Sequence, residues 1–391
     1  MEDKTIIKNK TIPIKITTIS PVHIGSGKSI DTSVETIKKN GKVAFLSLNK
    51  ILEKIAANRR QLYELSSKIE GRSNKSLEEI FSGNKNVLEE ATIYELIDER
   101  TAFSKDIETF LKDARNIPLF PGTTLKGAIR TIIFAAYLKK NKEVFYNSLK
   151  INQIEKIENF VFGENMQESP LKIIKTEDIS FSIEHLSIRT VKVFDISNNG
   201  ERCGFKKMGR NSDITTINSA TPINVEAIIP GTIFESNIKI DEYFIKNIDK
   251  FTKKNKNDKK WKWFKEFFSD FFNMLATSSR YNSLEYVNNE LEFYQKYKFK
   301  CNIDKVIDFY KQLKDEIEKS SGTVYTQIAW GSGWKGMTGN AYDEEKIEKI
   351  IKKMGREHSK TFPKTRKLFV EENEFSEYAT MPAGWIKIER R

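Results

Sequence analysis

Three glycine-rich segments carry the residue types that bind phosphate groups. The first, from His23 to Ser29, ends in the Gly-Lys-Ser of a nucleotide-binding P-loop. A P-loop also needs a glycine where this chain has Val22, and a helix where Ile30 to Ile37 resembles a strand. The segment therefore predicts a flexible turn that lies against a phosphodiester backbone, with an ordinary hairpin turn as the alternative. The RNA contacts predicted here are His23, Gly25, Gly27 and Lys28.

The second segment, Pro121 to Arg130, begins with a helix-start signal followed by apolar residues at helical spacing. Lys126 and Arg130 lie four residues apart and therefore share one face of that helix. Because the amides and dipole of a helix N-terminus favour an anion, we expect phosphate at the first turn beside these cations. The alternative is a core helix with two solvated cations. Gly127 favours the site, because a mid-helix glycine usually marks close approach of another backbone.

The third segment, Trp330 to Asn340, is the densest glycine loop in the chain. Its glycines allow the main chain to approach a nucleic-acid backbone, and its tryptophans either stack on bases or anchor the loop in the core. We predict RNA contacts at Trp334 and Lys335.

A polar excursion from Ser197 to Thr221 has the composition of a protruding hairpin that reaches between bases, or of a disordered surface loop. Its predicted RNA contacts are Arg202, Phe205, Lys206, Lys207 and Arg210.

No pattern supports metal or nucleophile chemistry. The two cysteines, Cys203 and Cys301, are far apart and in no paired motif, which predicts neither a disulfide framework nor a cysteine zinc site. The sequence contains no His-x-x-x-His pair and no Gly-x-Ser-x-Gly elbow. We therefore expect no metal, no cofactor and no catalytic residue.

The overall charge favours a polyanionic partner. The chain of 391 residues has 66 Lys and Arg against 54 Asp and Glu, a net charge of +12. This excess attracts nucleic acid or anionic lipid, although it also serves solubility. Met1 to Lys15 has no apolar h-region, and the longest apolar run, Ile132 to Leu138, is too short to span a bilayer. We therefore expect a cytoplasmic protein with no membrane partner.

The elements around these segments follow an α+β order. Alternating β-branched residues from Thr11 to Ser20 predict an opening strand, and Asn40-Gly41 predicts a hairpin. Further strands are predicted at Leu171 to Phe181, at Leu186 to Ile196, on both sides of Pro230-Gly231 and around Trp385 to Ile388. This order fits a ferredoxin-like, RNA-recognition-type core with large helical insertions and glycine-rich loops.

Three regions follow from this pattern. Residues 1–240 are predicted to form the core, with a helical insertion at about 49–115 and a thumb-like excursion at about 197–221. Residues 241–320 are predicted to be helical, including an aromatic helix from Trp261 to Leu275. Residues 321–391 are predicted to complete the core with the last glycine loop, a helix near Asp343 to Met354 and a closing strand.

Five segments, taken in order over nearly the full length, resemble the RAMP superfamily of CRISPR systems. They are Val22 to Gly27, Ile117 to Arg130, Glu226 to Thr232, Trp330 to Thr338 and Phe362 to Arg366. The Trp-Gly-x-Gly-Trp-Lys loop and the Phe-Pro-Lys-Thr-Arg turn make the chain most similar to the subunit of type III-A Csm effectors that caps the 3′ end of the crRNA.

The resemblance implies a core that packs on the last copy of the backbone RAMP subunit and holds the guide strand near its 3′ end, with Arg366 as a further RNA contact. It implies that crRNA, target RNA, the other subunits of the Csm ribonucleoprotein and host nucleases that trim the crRNA are partners. It also implies a role in crRNA maturation and complex assembly without nuclease activity. Asp31 is the nearest counterpart of the backbone subunit's cleaving acid and is not interpreted as catalytic.

Two other functions stay open. A RAMP endoribonuclease that processes pre-crRNA would use His23 as a general base beside the first glycine turn. The large helical insertions speak against it. A pure assembly scaffold would use the glycine loops to bind protein only.

Overall fold

The described part of the chain forms two large β-sheets and a two-stranded sheet of β7 and β9, with helices packed against them. The computed structural model describes residues 9–84, 86–143, 157–164, 169–209, 213–247, 259–298, 301–337, 341, 347–349, 352 and 363–391. The strands are β1 (Asn9–Thr18), β2 (Gly25–Asp31), β3 (Thr36–Lys39), β4 (Lys42–Leu46), β5 (Thr92–Glu99), β6 (Asp106–Phe110), β7 (Leu119–Phe120), β8 (Ile174–Thr176), β9 (Ile179–Ser180), β10 (Leu186–Ile196), β11 (Cys203–Lys207), β12 (Asp213–Thr215), β13 (Ile223–Ile228), β14 (Ile233–Asp241), β15 (Val324–Gln327), β16 (Arg366–Glu372), β17 (Glu377–Pro382) and β18 (Trp385–Arg390).

The helices follow the same numbering along the chain. They are α1 (Leu48–Ile55), α2 (Arg59–Ile69), α3 (Leu77–Ile80), α4 (Asn86–Ala91), α5 (Gly122–Lys140), α6 (Ile157–Phe162), α7 (Glu242–Lys246), α8 (Lys259–Ser269), α9 (Phe271–Tyr297), α10 (Asp304–Lys319) and α11 (Gly333–Met337), with 3-10 turns at Pro170–Ile173, Ile183–His185 and Ala329–Gly331. Within the described residues, no helix combines the length and the apolar character that crossing a bilayer requires.

The first sheet is built around the predicted opening strand. Its order is β15-β18-β1-β14-β8, and neighbouring strands run antiparallel. Along β1 the side chains of Ile12, Ile14 and Ile16 alternate onto one buried face, as the period of two predicts. That face shares a hydrophobic core with Ile129 and Ile133 of α5. The strand, the core helix and the closing strand predicted at Trp385 are all confirmed.

The second sheet carries the segments of interest along its strands. Its order is β2-β6-β13-β10-β5-β4-β3, and β10 also pairs with β11 and β16. Strand β10 is buried along almost its whole length, although polar residues such as Thr190, Lys192 and Asp195 are interspersed among its apolar ones. The Pro230-Gly231 turn joins β13 of this sheet to β14 of the first. The hairpin at Asn40-Gly41 is confirmed, with φ of 49° and 76° at its two residues.

The predicted helical insertion is shorter than expected. Helices α1 to α4 occupy Leu48 to Ala91 and share a small apolar core of their own. The prediction of helix was wrong from Thr92 to Phe110, where β5 and β6 join the second sheet. These strands carry charged residues such as Glu95 and Glu99 on positions that remain partly exposed, so they lack the apolar run of a buried strand.

The described part of residues 241–320 is mainly helical, as predicted, although the aromatic helix ends at Ser269 and α9 begins at Phe271. The hairpin of β16 and β17 was not predicted. Most of the helix predicted near Asp343 to Met354 lies outside the described residues. The α+β fold itself is confirmed.

Candidate nucleic-acid interface

The first glycine turn forms an exposed bulge in edge strand β2. The register with β6 shifts between Gly25 and Ser29, and Gly27 has a φ of +78°, which favours glycine. Ser26 Oγ lies 2.6 Å from Thr109 Oγ1 and ties the bulge to β6. Lys28 is exposed beside it. Open backbone and a cation therefore stand together at the sheet edge, in line with the predicted role of Gly25, Gly27 and Lys28.

His23, in contrast, is a buried packing residue. Its Nδ1 donates a hydrogen bond to the carbonyl oxygen of Glu226 (2.7 Å), and its ring meets Trp330 edge-on at 5.5 Å between centroids. Only 3% of the residue is exposed. Burial lowers the pKa of His23 to about 4 against the opposing effect of the Glu226 hydrogen bond, with Lys367 and Lys112 lowering it further. The expectation that His23 reaches a phosphate is thereby corrected: the imidazole is neutral and enclosed.

A buried charged network lies behind His23. The Glu226 carboxylate accepts hydrogen bonds from Tyr94 Oη (2.7 Å), from the Phe110 amide (2.6 Å) and from Lys112 Nζ. Lys112 also lies over the Tyr94 ring, 4.4 Å from its centroid. Burial lowers the pKa of Lys112, and Glu226 counteracts that shift. The network fixes β13 against β5 and β6, and Glu226 is the first residue of one of the five segments quoted above.

The N-terminus of α5 is already occupied by an anion from the chain itself. The Gly122 amide donates to the Asp178 carboxylate at 2.7 Å. Lys126 Nζ donates to the Ile174 carbonyl oxygen at 2.9 Å, and burial lowers the pKa of Lys126. Arg130 pairs with Glu158. The expectation of a phosphate held by the first turn, Lys126 and Arg130 is corrected, because all three groups have partners within the chain.

Close approach of another backbone was expected at Gly127 of α5 but occurs at Gly122. A Cβ on Gly127 would meet no atom within 4 Å, whereas a Cβ on Gly122 would lie 2.8 Å from the Thr176 carbonyl oxygen. Close backbone approach therefore occurs at the first turn of the helix and not at its middle.

The thumb-like excursion is a continuation of the second sheet. Strand β11 pairs with β10 and with β12. Phe205 is 1% exposed and packs on Phe194 at 5.7 Å between centroids, which corrects the expectation that it reaches between bases. Arg202 and Lys207 are exposed and Lys206 is partly exposed, so their role as RNA contacts stays a prediction. Arg210 lies outside the described residues.

The last glycine loop is anchored by one tryptophan and faces a cavity with the other. Trp330 packs on His23, and Lys367 Nζ lies 3.5 Å from the centroid of the Trp330 ring. Trp334 and Lys335 are partly exposed and line a cavity of about 310 Å³. Burial lowers the pKa of Lys367 to about 8, although Glu108 opposes the shift. Lys367 was not predicted as a site residue.

Arg366 closes one wall of this cavity and is committed to a buried ion pair. Its Nε and Nη2 donate to the two Glu290 carboxylate oxygens at 2.6 and 2.8 Å, and Nη1 donates to the Pro363 carbonyl oxygen at 2.8 Å. Glu290 is 0% exposed. The expected RNA contact of Arg366 is corrected to a structural role, because the guanidinium already has acidic and carbonyl partners.

The five segments meet in space. Val22 pairs with Ile228 in a β-bridge, and His23 connects Glu226 with Trp330. Lys112 pairs through its backbone with Pro118 and through its side chain with Glu226. The cavity is lined jointly by the last glycine loop and by the turn at residues 363–367. Segments that are as far apart in sequence as Val22 and Arg366 are therefore connected in the fold.

Residues 15–355 match the sequence profile described as the RAMP superfamily. The chain belongs to the RAMP superfamily. Among its relatives, the CRISPR system Cms protein Csm5 of Streptococcus thermophilus is 29% identical over 34% of this chain and 41% of its own length. The protein of that name from Methanocaldococcus jannaschii is 26% identical over 70% of this chain and 63% of its own length. The alignments thus span about two fifths and three fifths of these relatives.

A solved structure has a similar fold. One chain of the cryo-EM structure of a Csm-crRNA-target RNA ternary complex of a type III-A CRISPR-Cas system superposes with a TM-score of 0.67 and 23% identity, covering 97% of this chain and 100% of that chain.

Sequence patterns alone miss three parts of this RAMP site. Lys367 directly follows the segment that ends at Arg366, and its position over Trp330 depends on the fold. Tyr94 and Lys112 lie in a stretch expected to be helical, so nothing in the sequence linked them to Glu226. Within this network, only Glu226 had a visible signal in the sequence, because it is a lone acidic residue within an apolar strand pattern.

Proposed function

We propose that the chain is a subunit of a type III-A Csm ribonucleoprotein that binds the 3′ region of the crRNA, caps the backbone filament and is needed for crRNA maturation and complex assembly. It acts by binding and not by cleaving RNA. The partners in this proposal are crRNA, target RNA, the backbone RAMP subunit and the other Csm subunits.

The observation that carries the proposal is the packing of His23, two residues before the bulge at Gly25 to Lys28, on Trp330 of the last glycine loop, whose cavity is also lined by the turn at residues 363–367. Exposed backbone at Gly27, aromatic surface at Trp334 and cations at Lys28 and Lys367 are the groups that bind single-stranded RNA. The RAMP profile and the two relatives named Csm5 support the same assignment.

The RNA contacts in this proposal are fewer than the sequence indicated. They are Gly25, Gly27, Lys28, Arg202, Lys206, Lys207, Trp334, Lys335 and Lys367. An endoribonuclease that uses His23 finds no support, because a general base must reach the proton it removes and His23 is enclosed by Glu226, Phe110 and Trp330.

Deletion of this chain from the assembled complex tests the capping role. We expect the co-purifying crRNA to lose its mature 3′ end, which sequencing of the bound RNA would show. Unchanged 3′ ends in the complex that lacks the chain would contradict the proposal.

A salt titration tests the RNA contacts. The triple variant Lys28→Ala, Lys207→Ala and Lys335→Ala should bind a guide 3′ oligonucleotide more weakly, and each lost phosphate contact should reduce the slope of log K against log salt by about 0.7. The matched control is Lys50→Ala with Lys54→Ala on α1, both exposed and remote from the cavity lining. Equal slopes for the triple variant and the control would show that the interface lies elsewhere.

A further inference from the structure

The cavity beneath the last glycine loop has a floor of tyrosines. Three of them, Tyr286, Tyr294 and Tyr310, line it from α9 and α10, opposite Trp330 and Trp334. Its volume of about 310 Å³ is at the lower end of small-ligand sites in proteins. Tyr294 and Tyr310 stack on each other with 5.8 Å between centroids and 27° between planes, so this part of the lining is aromatic.

One hydroxyl in this floor lacks a partner. Tyr294 is fully buried, and its Oη makes no hydrogen bond among the residues that the structure describes. The neighbouring Tyr286 hydroxyl, in contrast, lies 3.0 Å from Gln327 Oε1. Buried hydroxyls are nearly always hydrogen-bonded, because an unpaired one loses its water without compensation. Because Tyr294 is among the residues that line the cavity, its buried, unpaired hydroxyl is a group that a ligand could satisfy after a small movement of the side chains that cover the oxygen.

The charged side chains that line the cavity favour a ligand with one anionic group and one neutral group. Arg366 and Glu290 neutralise each other in one wall, so the interior offers no free charge of either sign from this pair. Lys367 Nζ lies over the Trp330 ring and Lys335 lines the same cavity. A planar neutral group joined to a phosphate fits this lining, because the neutral group can lie beside the ion pair and the phosphate can lie beside the two lysines.

We propose that this cavity binds one nucleobase of a single-stranded RNA, with the Tyr294 hydroxyl bonded to the edge of the base. Trp334 supplies a stacking surface, and Lys367 faces the phosphate of the same nucleotide. Bases of single-stranded RNA are commonly recognised in this way, by aromatic stacking and by hydrogen bonds to their edges. The inference rests on the proposed function and adds to it the pocket that receives a base.

The variant Tyr294→Phe separates a ligand role from a structural one. It removes only a hydroxyl that has no partner in the free chain, so the melting temperature should stay the same or rise. Binding of a guide 3′ oligonucleotide should weaken about 3- to 10-fold, as expected for one hydrogen bond. The matched control is Tyr297→Phe, whose hydroxyl donates to the Gly200 carbonyl oxygen at 3.3 Å outside the cavity. That control should leave RNA affinity unchanged.

The outcomes distinguish this inference from the function it extends. If the wild-type chain binds the oligonucleotide and Tyr294→Phe binds it equally well, the base pocket is wrong and the RNA-binding role stands. If the wild-type chain and the complex retain no guide RNA, both fail together.

Two further measurements identify the occupant. A guide that carries 4-thiouridine near its 3′ end should crosslink to peptides that contain Trp334 or Lys367, and crosslinks confined to other subunits would overturn the proposal. Adenosine and uridine monophosphate should raise the melting temperature only at millimolar concentration. Tight binding of either free nucleotide without competition by RNA would assign the cavity to a free nucleotide instead.

Discussion

Among single residues, His23 has the most consequences for the interface. It touches Glu226 through a hydrogen bond and Trp330 through its ring, so the first glycine segment, the Glu226 segment and the last glycine loop are held in register by one imidazole. Because the Glu226 carbonyl oxygen can only accept, Nδ1 must carry the proton. A charged imidazole would also face Lys112 and Lys367, which already lower its pKa.

A pH dependence of stability follows for His23. Its pKa is about 4 in the folded chain and 6.5 when the side chain is free in water, so the unfolded chain takes up a proton first as the pH falls. The contribution of neutral His23 is complete above pH 6.5 and declines between pH 6.5 and 4, by about 3 kcal/mol in total. Urea unfolding of wild type and His23→Asn measures the free energy of unfolding across this pH range. That free energy should change less with pH in the variant, because Asn keeps the hydrogen-bond donor without titrating.

The control for this profile is His185→Asn, which removes a histidine that is only partly buried. Its profile should keep the wild-type slope. If His23→Asn and wild type lose stability in parallel between pH 6.5 and 4, protonation of His23 is not the cause.

At the scale of elements, α5 combines a constrained glycine with an unconstrained one. Gly122→Ala should lower the free energy of unfolding by roughly 1 to 3 kcal/mol, because the new Cβ would clash with the Thr176 carbonyl oxygen. Gly127→Ala should raise it by about 1 kcal/mol, because alanine favours the helix and the space is open. Chemical denaturation of the two variants measures both signs, and a destabilised Gly127→Ala would contradict the open environment.

The two cysteines connect elements that the sequence left unrelated. Cys203 in β11 and Cys301, just before α10, have Sγ atoms 2.7 Å apart and form no disulfide. Mild oxidation should join them and raise stability by about 2 to 4 kcal/mol through the constraint on the unfolded chain. Intact mass should fall by two hydrogens, and the melting temperature should rise in wild type but not in Cys203→Ser. A wild-type melting temperature that oxidation leaves unchanged would argue against this pairing.

How far the sequence predicted these elements depends on where their neighbours lie. The strand Leu186 to Ile196 and the helix from Gly122 could be predicted, because the local spacing of their apolar residues indicates the element. The burial of Phe205 could not be predicted, because the α9 residues that share its apolar cluster, such as Tyr294, come from a distant part of the chain. Arg366 was misread for the same reason, since its partner Glu290 lies 76 residues away.

At the scale of the whole molecule, the proposed RNA contacts and the helical insertion lie in separate parts of the fold. The bulge at Gly25 to Lys28 belongs to the second sheet, and the cavity is lined by the last glycine loop, the turn at residues 363–367 and helices α9 and α10. Helices α1 to α4 pack instead on their own apolar cluster, between the end of β4 and the start of β5. The proposed RNA contacts therefore lie outside the insertion.

Removal of the insertion tests that independence. Leu46 and Thr92 face each other in the pairing of β4 with β5, so residues 47–91 can be replaced by an Asn-Gly turn that closes the hairpin directly. Changing Leu46 to Thr avoids leaving an apolar side chain exposed, since Leu46 packs in the cluster that is removed.

We expect a folded chain with less helical circular dichroism and a melting temperature within a few degrees of wild type. Guide oligonucleotide affinity should change less than about twofold, because no cavity-lining residue is lost. A folded variant that no longer binds the oligonucleotide would place part of the RNA interface on the insertion, and a variant that fails to fold while the Leu46→Thr single variant folds would show that the sheet depends on these helices.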